Sequence, residues 1–327
     1  MRRRDFLALV ATGVAVRPIY ASAQGPTAPV IGFFSGGSPY EWAPFVAAFR
    51  QGLNEMGYRE DRDVSIEFRW GFGEREKLQV LAHELAARRV DVLVVSGGFK
   101  TMQAALDATS TTPIVEVFGD DPVGRKLVES IAQPGGRVTG VSVVSRDIEN
   151  KRLQIIREMI PTTKTVGLIT DPRIPPDVQL RKDFKAATQQ LGLQGIVVAA
   201  SGEAEIDDAF AMLAQRRVDA LEVASTAYFL DRRDRIAALA ARYKIPTMYA
   251  ARAYADAGGL VSYGVDRVET YRQLGRYTGA ILHGSVPAEM PVLPPSKFEL
   301  AVNLNAAKAL GVTFPQSLMT LADAIIR

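Results

Sequence analysis

The chain of 327 residues has no cysteine and only two histidines. Without thiols there is no disulfide framework, no cysteine nucleophile and no cysteine-ligated zinc. His83 and His283 both lie in helix-like stretches and read as surface or helix-face residues, so a Ser-His-Asp hydrolase would lack a histidine in a loop at a strand end. There is no phosphate-loop G-x-x-x-x-G-K-[ST] and no G-x-S-x-G nucleophile turn. Gly71-Phe72-Gly73 leads to no third glycine at dinucleotide spacing and reads as a turn after a strand. No apolar run approaches the roughly 20 residues of a membrane span.

An excess of charge of one sign is missing too. The formal charge is +3, but residues 1–23 hold four arginines and one aspartate; taking these from 39 basic and 36 acidic residues leaves 35 of each. The basicity belongs to the N-terminus, and no domain-wide basic patch remains for a nucleic acid. That N-terminus has basic residues, an apolar stretch over 6–16 and the small-x-small triplet Ala21-Ser22-Ala23, the pattern of an export leader cleaved before Gln24. Arg3-Arg4-Asp5-Phe6-Leu7 fits the twin-arginine form of such a leader, which predicts a periplasmic product. No lipoprotein cysteine is there to anchor it.

What remains alternates regularly. Apolar strand-like runs at 28–34, 64–70, 90–95, 113–118, 138–144, 165–170, 195–200, 218–224, 245–250 and 259–264 are separated by stretches with apolar residues at helical spacing, such as Phe45, Phe49, Leu53 and Met56. Near-continuous Val/Ile/Leu strands between helices predict parallel sheets covered on both faces. The mature chain is long enough for two such units, so the expected fold class is α/β: two doubly wound parallel-sheet lobes with an interlobe cleft. The chain is expected to cross between lobes at the Pro/Gly stretches 134–136 and 291–295. The lobes are expected to comprise 27–142 with 264–287, and 143–263 with 288–327.

Ligands of open α/β sheets bind outside the carboxyl ends of the strands. Here those ends carry Ser35-Gly36-Gly37, Ser96-Gly97-Gly98, Asp120-Asp121, Thr170-Asp171, Ser201, Ser225-Thr226, Tyr249 and Tyr263. Asp121-Pro122 suits the N-cap and first position of a helix over PVGRKLVESIA, and Asp171-Pro172 repeats that logic. Asp120 is then the spare carboxylate, a candidate ligand contact. A metal pair would need further ligands, and no histidine or acidic cluster supplies them. Tyr249 and Tyr263 each close an apolar strand, where a ring either packs or lines a cleft.

The segments GDDPVGRKLVESIAQPGGRVTG (119–140), IPTMYAARAYADAGGLVSYGVD (245–266) and PPSKFELAVNLNAAKALG (294–311) resemble the signatures of a family of exported ABC-transporter substrate-binding proteins of the tryptophan/tyrosine-binding type. The resemblance runs in order across nearly the whole mature chain. It implies a type I periplasmic-binding fold: two lobes joined by three crossings, a small molecule clamped between them, an ABC permease as partner, and neither cofactor nor catalysis. It also implies binding roles for Ser35, Ser96, Asp120 and the positions after the second-lobe strands. An amino acid, with the aromatic ones foremost, is the leading ligand. The amides of Gly36-Gly37 and Gly97-Gly98, with Ser35 and Ser96, would suit its carboxylate, Asp120 its ammonium, and Tyr249 or Tyr263 a flat side chain. A monomer is expected.

Two other classes remain open: an exported hydrolase using Asp120 and Asp121, and a ligand-sensing receptor module. Adjacent carboxylates after a strand point apart, which disfavours a glycosidase pair spaced roughly 5 to 9.5 Å.

Overall fold

The computed structural model describes residues 28–144, 148–174 and 177–327. The proposed leader therefore lies outside the described residues. The first lobe runs β1 (Val30–Ser35), α1 (Pro39–Glu55), β2 (Ser65–Trp70), α2 (Leu78–Ala87), β3 (Val92–Ser96), α3 (Phe99–Ala108), β4 (Ile114–Phe118) and β5 (Val138–Ser142). Its five strands are ordered β2-β1-β3-β4-β5 and all pair in parallel. Every residue of β3 and β4 is buried, as expected for strands covered on both faces.

The second lobe runs α4 (Ile148–Met159), β6 (Thr165–Thr170), α5 (Asp177–Gln190), β7 (Gln194–Ala199), α6 (Glu203–Gln215), β8 (Ala220–Val223), α7 (Ala227–Leu230), α8 (Arg233–Tyr243), β9 (Thr247–Tyr249), α9 (Arg252–Asp256) and β10 (Val261–Val265). The chain then forms α10 (Arg267–Leu282), β11 (Phe298–Asn303), α11 (Leu304–Leu310), α12 (Gln316–Leu321) and β12 (Ala324–Ile326). The seven-stranded sheet is ordered β12-β11-β10-β9-β8-β6-β7, and its one antiparallel pair is β10 with β11.

α10 leaves the second sheet yet packs on the first lobe. Glycines let the helices meet backbone to backbone: a Cβ on Gly52 would stand 2.0 Å from the Arg272 carbonyl oxygen, and one on Gly275 2.2 Å from that of Phe49. Glu55 at the end of α1 accepts from Arg272 Nε at 2.6 Å and also from Arg276. Beyond α10 the chain stays beside β5 through Leu293, whose carbonyl accepts from the Ser142 amide at 2.8 Å. The last crossing therefore falls at 294–297, some residues past the expected 287/288 boundary. The Pro/Gly stretch 134–136 is not a crossing, because it joins β4 to β5 within one sheet. Crossings two and three are tied together: Asp266 donates its amide to the Lys297 carbonyl at 2.9 Å, and its carboxylate takes Lys297 Nζ at 3.1 Å.

The two aspartate caps do not form as expected. No helix follows Asp121; the segment 122–130 is a series of turns, in which Asp121 Oδ1 accepts from the Val123 amide at 3.0 Å. Asp171 likewise closes a turn, accepting from the Arg173 amide at 3.0 Å, and α5 begins only at Asp177. In both places the aspartate satisfies a local amide, and the residues beyond continue as turn instead of helix.

Because the α1–α10 contact leaves no room for a methyl group, Gly275→Ala should lower stability by about 1 to 3 kcal/mol. Gly119→Ala, where nothing lies within 4 Å of the added carbon, should change it by less than about 0.5 kcal/mol. Urea unfolding of the two variants checks this.

Candidate functional site

The start of α1 faces the second lobe. Ser38 is its N-cap, accepting from the Glu41 amide at 3.4 Å while its hydroxyl donates to Glu41 Oε2 at 3.0 Å, which orients the Glu41 carboxylate. The other Glu41 oxygen takes Arg233 Nη1, from the second lobe, at 3.2 Å. The Asp231 carboxyl also meets Glu41; burial first, and Glu41 second, push its pKa up to about 8. Asp231 Oδ1 is buried without a hydrogen-bond partner. Nearby, Arg75 of the first lobe reaches Asp171 of the second at 3.5 Å.

One turn along α1 from Glu41, Phe45 stacks on Tyr271 of α10 with ring centres 5.0 Å apart. The Arg267 guanidinium lies 5.7 Å from the Phe45 ring centre and makes no ion pair with a described residue. Trp42 packs edge-on to Phe45 and donates its indole N–H to the Tyr271 hydroxyl at 2.7 Å and to Ser96 Oγ at 3.2 Å. Across the cleft, the Tyr254 hydroxyl is buried without a partner and lies close enough to feel the charges of Arg267, Asp231 and Arg233; burial above all raises its pKa. One apolar cluster runs through both lobes, from Phe33 and Phe45 to Leu230 and Tyr254, so the lobes are closed on one another.

The serine and glycine loops expected at the site do come together. The Gly36 amide donates to the Ser96 carbonyl at 3.1 Å, and Ser35 Oγ accepts from the Gly37 amide at 3.2 Å. These contacts use the Gly36 and Gly37 amides and hold Ser35 and Ser96 inside the lobe, where Ser96 also bonds Tyr271. The amides of Gly97 and Gly98, at the start of α3, donate to no described residue. Asp120 is paired with Arg125, whose guanidinium stacks on Phe99 at 3.6 Å, so its charge is met by the chain itself. Asp121 is exposed. Thr170 is buried with Oγ1 unpartnered. Ser225 is exposed, and Thr226 Oγ1 accepts from the Phe229 amide at 3.0 Å, capping α7. Tyr249 stacks on Tyr254 at 4.7 Å with its hydroxyl beside Thr247, and so touches the cleft constellation only through Tyr254. Tyr263 points to the other face of the sheet, stacked on Phe298 at 5.9 Å.

Glu41, Asp231, Arg233, Tyr254, Arg267 and Tyr271 were not singled out by sequence, and Phe45 was read only as one of the apolar residues at helical spacing. Two signals were present: S-P-Y-E just beyond the Gly36-Gly37 turn that ends β1, and an arginine directly after the Y-G-V-D end of β10.

With this geometry in place, comparison with known proteins is decisive for the family. The pattern of the family described as ABC transporter substrate binding protein matches residues 30–326. The chain belongs to this family. Among solved structures it is similar to an ABC domain from Streptococcus pneumonia in complex with L-Trp, with 26% identity, TM-score 0.82, and 91% of this chain and 99% of that one covered. A conserved domain protein from Vibrio cholerae gives 26% identity and TM-score 0.84 over the same shares. A tyrosine-binding protein of Clostridioides difficile (strain R20291) is 25% identical over 268 residues, 80% of this chain and 75% of that protein. The substrate-binding fold accounts for the two facing sheets and the closed cleft.

Asp171, fully buried, accepts from Arg173 Nε and Nη2 at 2.8 Å each. Burial pushes its pKa up, but the Arg173 bonds outweigh it and the net shift is downward. Its stabilising contribution is therefore present above the usual carboxylate range and is lost as pH falls through the lowered value. Asp171→Asn should cost about 1 to 2 kcal/mol near neutrality, allowing for the partly exposed arginines, and should flatten the acid limb of stability. Chemical denaturation across a pH series checks both.

Proposed function

We propose that this substrate-binding protein clamps an aromatic amino acid between its lobes and presents it, as a monomer and without catalysis, to an ABC permease for import. One observation carries the reading: the closed cleft brings together an arginine with no ion-pair partner among the described residues, a carboxyl pair and a set of aromatic faces. Arg267 would take the ligand carboxylate, since a guanidinium fork matches it in two hydrogen bonds. The Glu41–Asp231 pair would take the ammonium, which would relieve the crowding of two acids in one buried place. Phe45, Tyr271 and Tyr254 would face the flat side chain. The Asp120 grip expected from sequence gives way to Asp231 here, because Asp120 already has Arg125. The L-Trp held by the Streptococcus relative and the name of the Clostridioides one support the same ligand class. In this reading lobe one is the chain before the first crossing together with α10, and lobe two is the remainder.

Calorimetric titration with L-tryptophan and L-tyrosine tests this, with tryptamine and indole-3-propionate as ligands lacking one charge each. The amino acids should bind and both analogues should be at least about tenfold weaker. Arg267→Met and Asp231→Asn should each lose about 2 to 5 kcal/mol of affinity for the amino acid, as when one member of a desolvated charge pair is removed. Parent-like binding by both variants overturns the reading.

Delivery to the periplasm would follow from the leader. Replacing Arg3-Arg4 by Lys-Lys should leave the precursor in the cytoplasm if the twin-arginine route carries it; cell fractionation reads the outcome, and unchanged export assigns the general secretion route.

A further inference from the structure

Three neighbouring strands carry the cleft groups that the first lobe does not supply before its crossing. Asp231 and Arg233 lie beyond β8, Tyr254 beyond β9 and Arg267 beyond β10, and the three strands are adjacent in the second sheet. β9, in the middle, has only three residues. Two register pairs join it to each neighbour: Leu221 with Thr247 and Glu222 with Met248 on one side, Val261 with Met248 and Ser262 with Tyr249 on the other. β6 and β7, by contrast, pair over six. So short a ladder leaves the relative placement of β8 and β10 to side-chain contacts.

Arg152 of α4 makes that contact. Its Nη1 donates to Glu222 Oε1 of β8 at 3.0 Å and to Glu149 Oε1 of its own helix at 2.9 Å, and its Nε donates to the Tyr263 carbonyl of β10 at 2.9 Å. Met248, level with Glu222, and Tyr263 belong to the second lobe's own apolar cluster, whereas Tyr249 and Tyr254 belong to the cluster that runs through both lobes. The brace therefore lies on the face of the sheet away from the tyrosine stack. Arg152, Glu149 and Glu222 are all buried. A buried ionic group adds little net stability over apolar packing of the same volume, and its best-attested use is to fix register. Its place in the chain fits that use. α4 is the first element after β5, so Arg152 ties the entry of the chain into the second lobe to the strand on which it leaves, and Asp266 at the end of that strand is bonded in turn to Lys297 of the third crossing.

We propose that Arg152 is a positioning residue for the cleft: by pinning β8 to β10 across the short β9, it sets where Arg267 stands against Asp231 and Arg233 in the closed protein. It touches no ligand. It acts through the Tyr263 carbonyl, just upstream of Arg267, and through Glu222, at the end of the strand that leads to Asp231. The ligand roles of Arg267 and Asp231 rest on the function proposed above; the pin itself is a property of the empty protein.

Two variants separate the pin from the charge. Arg152→Lys keeps a buried cation for Glu149 and Glu222, but an ammonium is a point charge and cannot also serve Tyr263 as the guanidinium fork does. Glu222→Gln keeps an oxygen for Nη1 to donate to, and so keeps the pin. Calorimetric titration should show L-tryptophan binding Glu222→Gln within about twofold of the parent and Arg152→Lys at least about tenfold more weakly. On an Arg267→Met background the same lysine change should cost less than about threefold, since two changes that act through one contact are not additive. In ligand-free protein the amides of β9 and of Asp266 should exchange with deuterium at least about tenfold faster in Arg152→Lys than in the parent, with β1 unchanged. Should Arg152→Lys fail to fold, Glu222→Met takes its place with the same expectations, because it frees β8 and leaves Arg152 neutralised by Glu149. Parent-like affinity in the unpinned variant, or a loss repeated in full on Arg267→Met, overturns the positioning role. Unchanged exchange in β9 and at Asp266 overturns the pin whatever the ligand does. A parent that binds no amino acid thus removes the functional reading and leaves the pin to be judged by exchange.

Discussion

The packing of α10 against α1 is the contact on which the rest of the cleft depends. α10 belongs by sequence to the end of the second sheet, but Gly52 and Gly275 let its backbone touch that of α1, and Glu55 ties it down through Arg272. Arg267 and Tyr271 are thereby carried on the same rigid pair as Glu41, Trp42 and Phe45. Half of the constellation is in this way built on one helix pair, and Asp231, Arg233 and Tyr254 meet it from the second lobe. The triad of Trp42, Ser96 and Tyr271 then joins this helix pair to the end of β3.

The buried arginine of the second lobe is matched by buried acids. In the second lobe Arg152, itself buried, donates to Glu149 at 2.9 Å, to Glu222 at 3.0 Å and to the Tyr263 carbonyl at 2.9 Å. Burial, with Glu149 beside it, raises the Glu222 pKa, so this group of two acids and one base also favours holding a proton. Glu116 in β4 is raised by burial and then by Asp120. The cleft differs in that Arg267 has no ion-pair partner among the described residues and Glu41 meets Arg233 and Asp231 from the other lobe. A charged group left without its counterpart in a desolvated place is costly unless something from outside supplies it. This is why the matched clusters read as scaffold and the unmatched one as a site.

The strands that form the sheets were legible because a parallel strand covered on both faces must be apolar along its whole length, and no other local pattern looks like 90–95 or 113–118. The C-terminal part was harder. β11 carries Glu299 and Asn303 and pairs antiparallel with β10, so it lacks that uninterrupted pattern. The caps at Asp121 and Asp171 were misread because an aspartate before proline serves a turn as readily as a helix, and only the chain beyond decides which one forms.

By itself the sequence determined the alternation of strand and helix, the two-lobed α/β class, the family, and the clustering of small hydroxyls and glycines at strand ends, all of which rest on local pattern. It could not determine which charges face each other. Glu41, Asp231 and Arg267 stand on three separate elements, and each one alone reads as an ordinary cap or surface residue. Whether a charge becomes part of a site depends on burial and on its nearest opposite charge, and both are set by how the lobes and α10 pack. Tertiary structure alone therefore paired Asp120 with Arg125, turned Tyr263 to the far face of its sheet, and left Arg267 with no ion-pair partner among the described residues, in a cleft that also holds the Glu41 and Asp231 carboxyls.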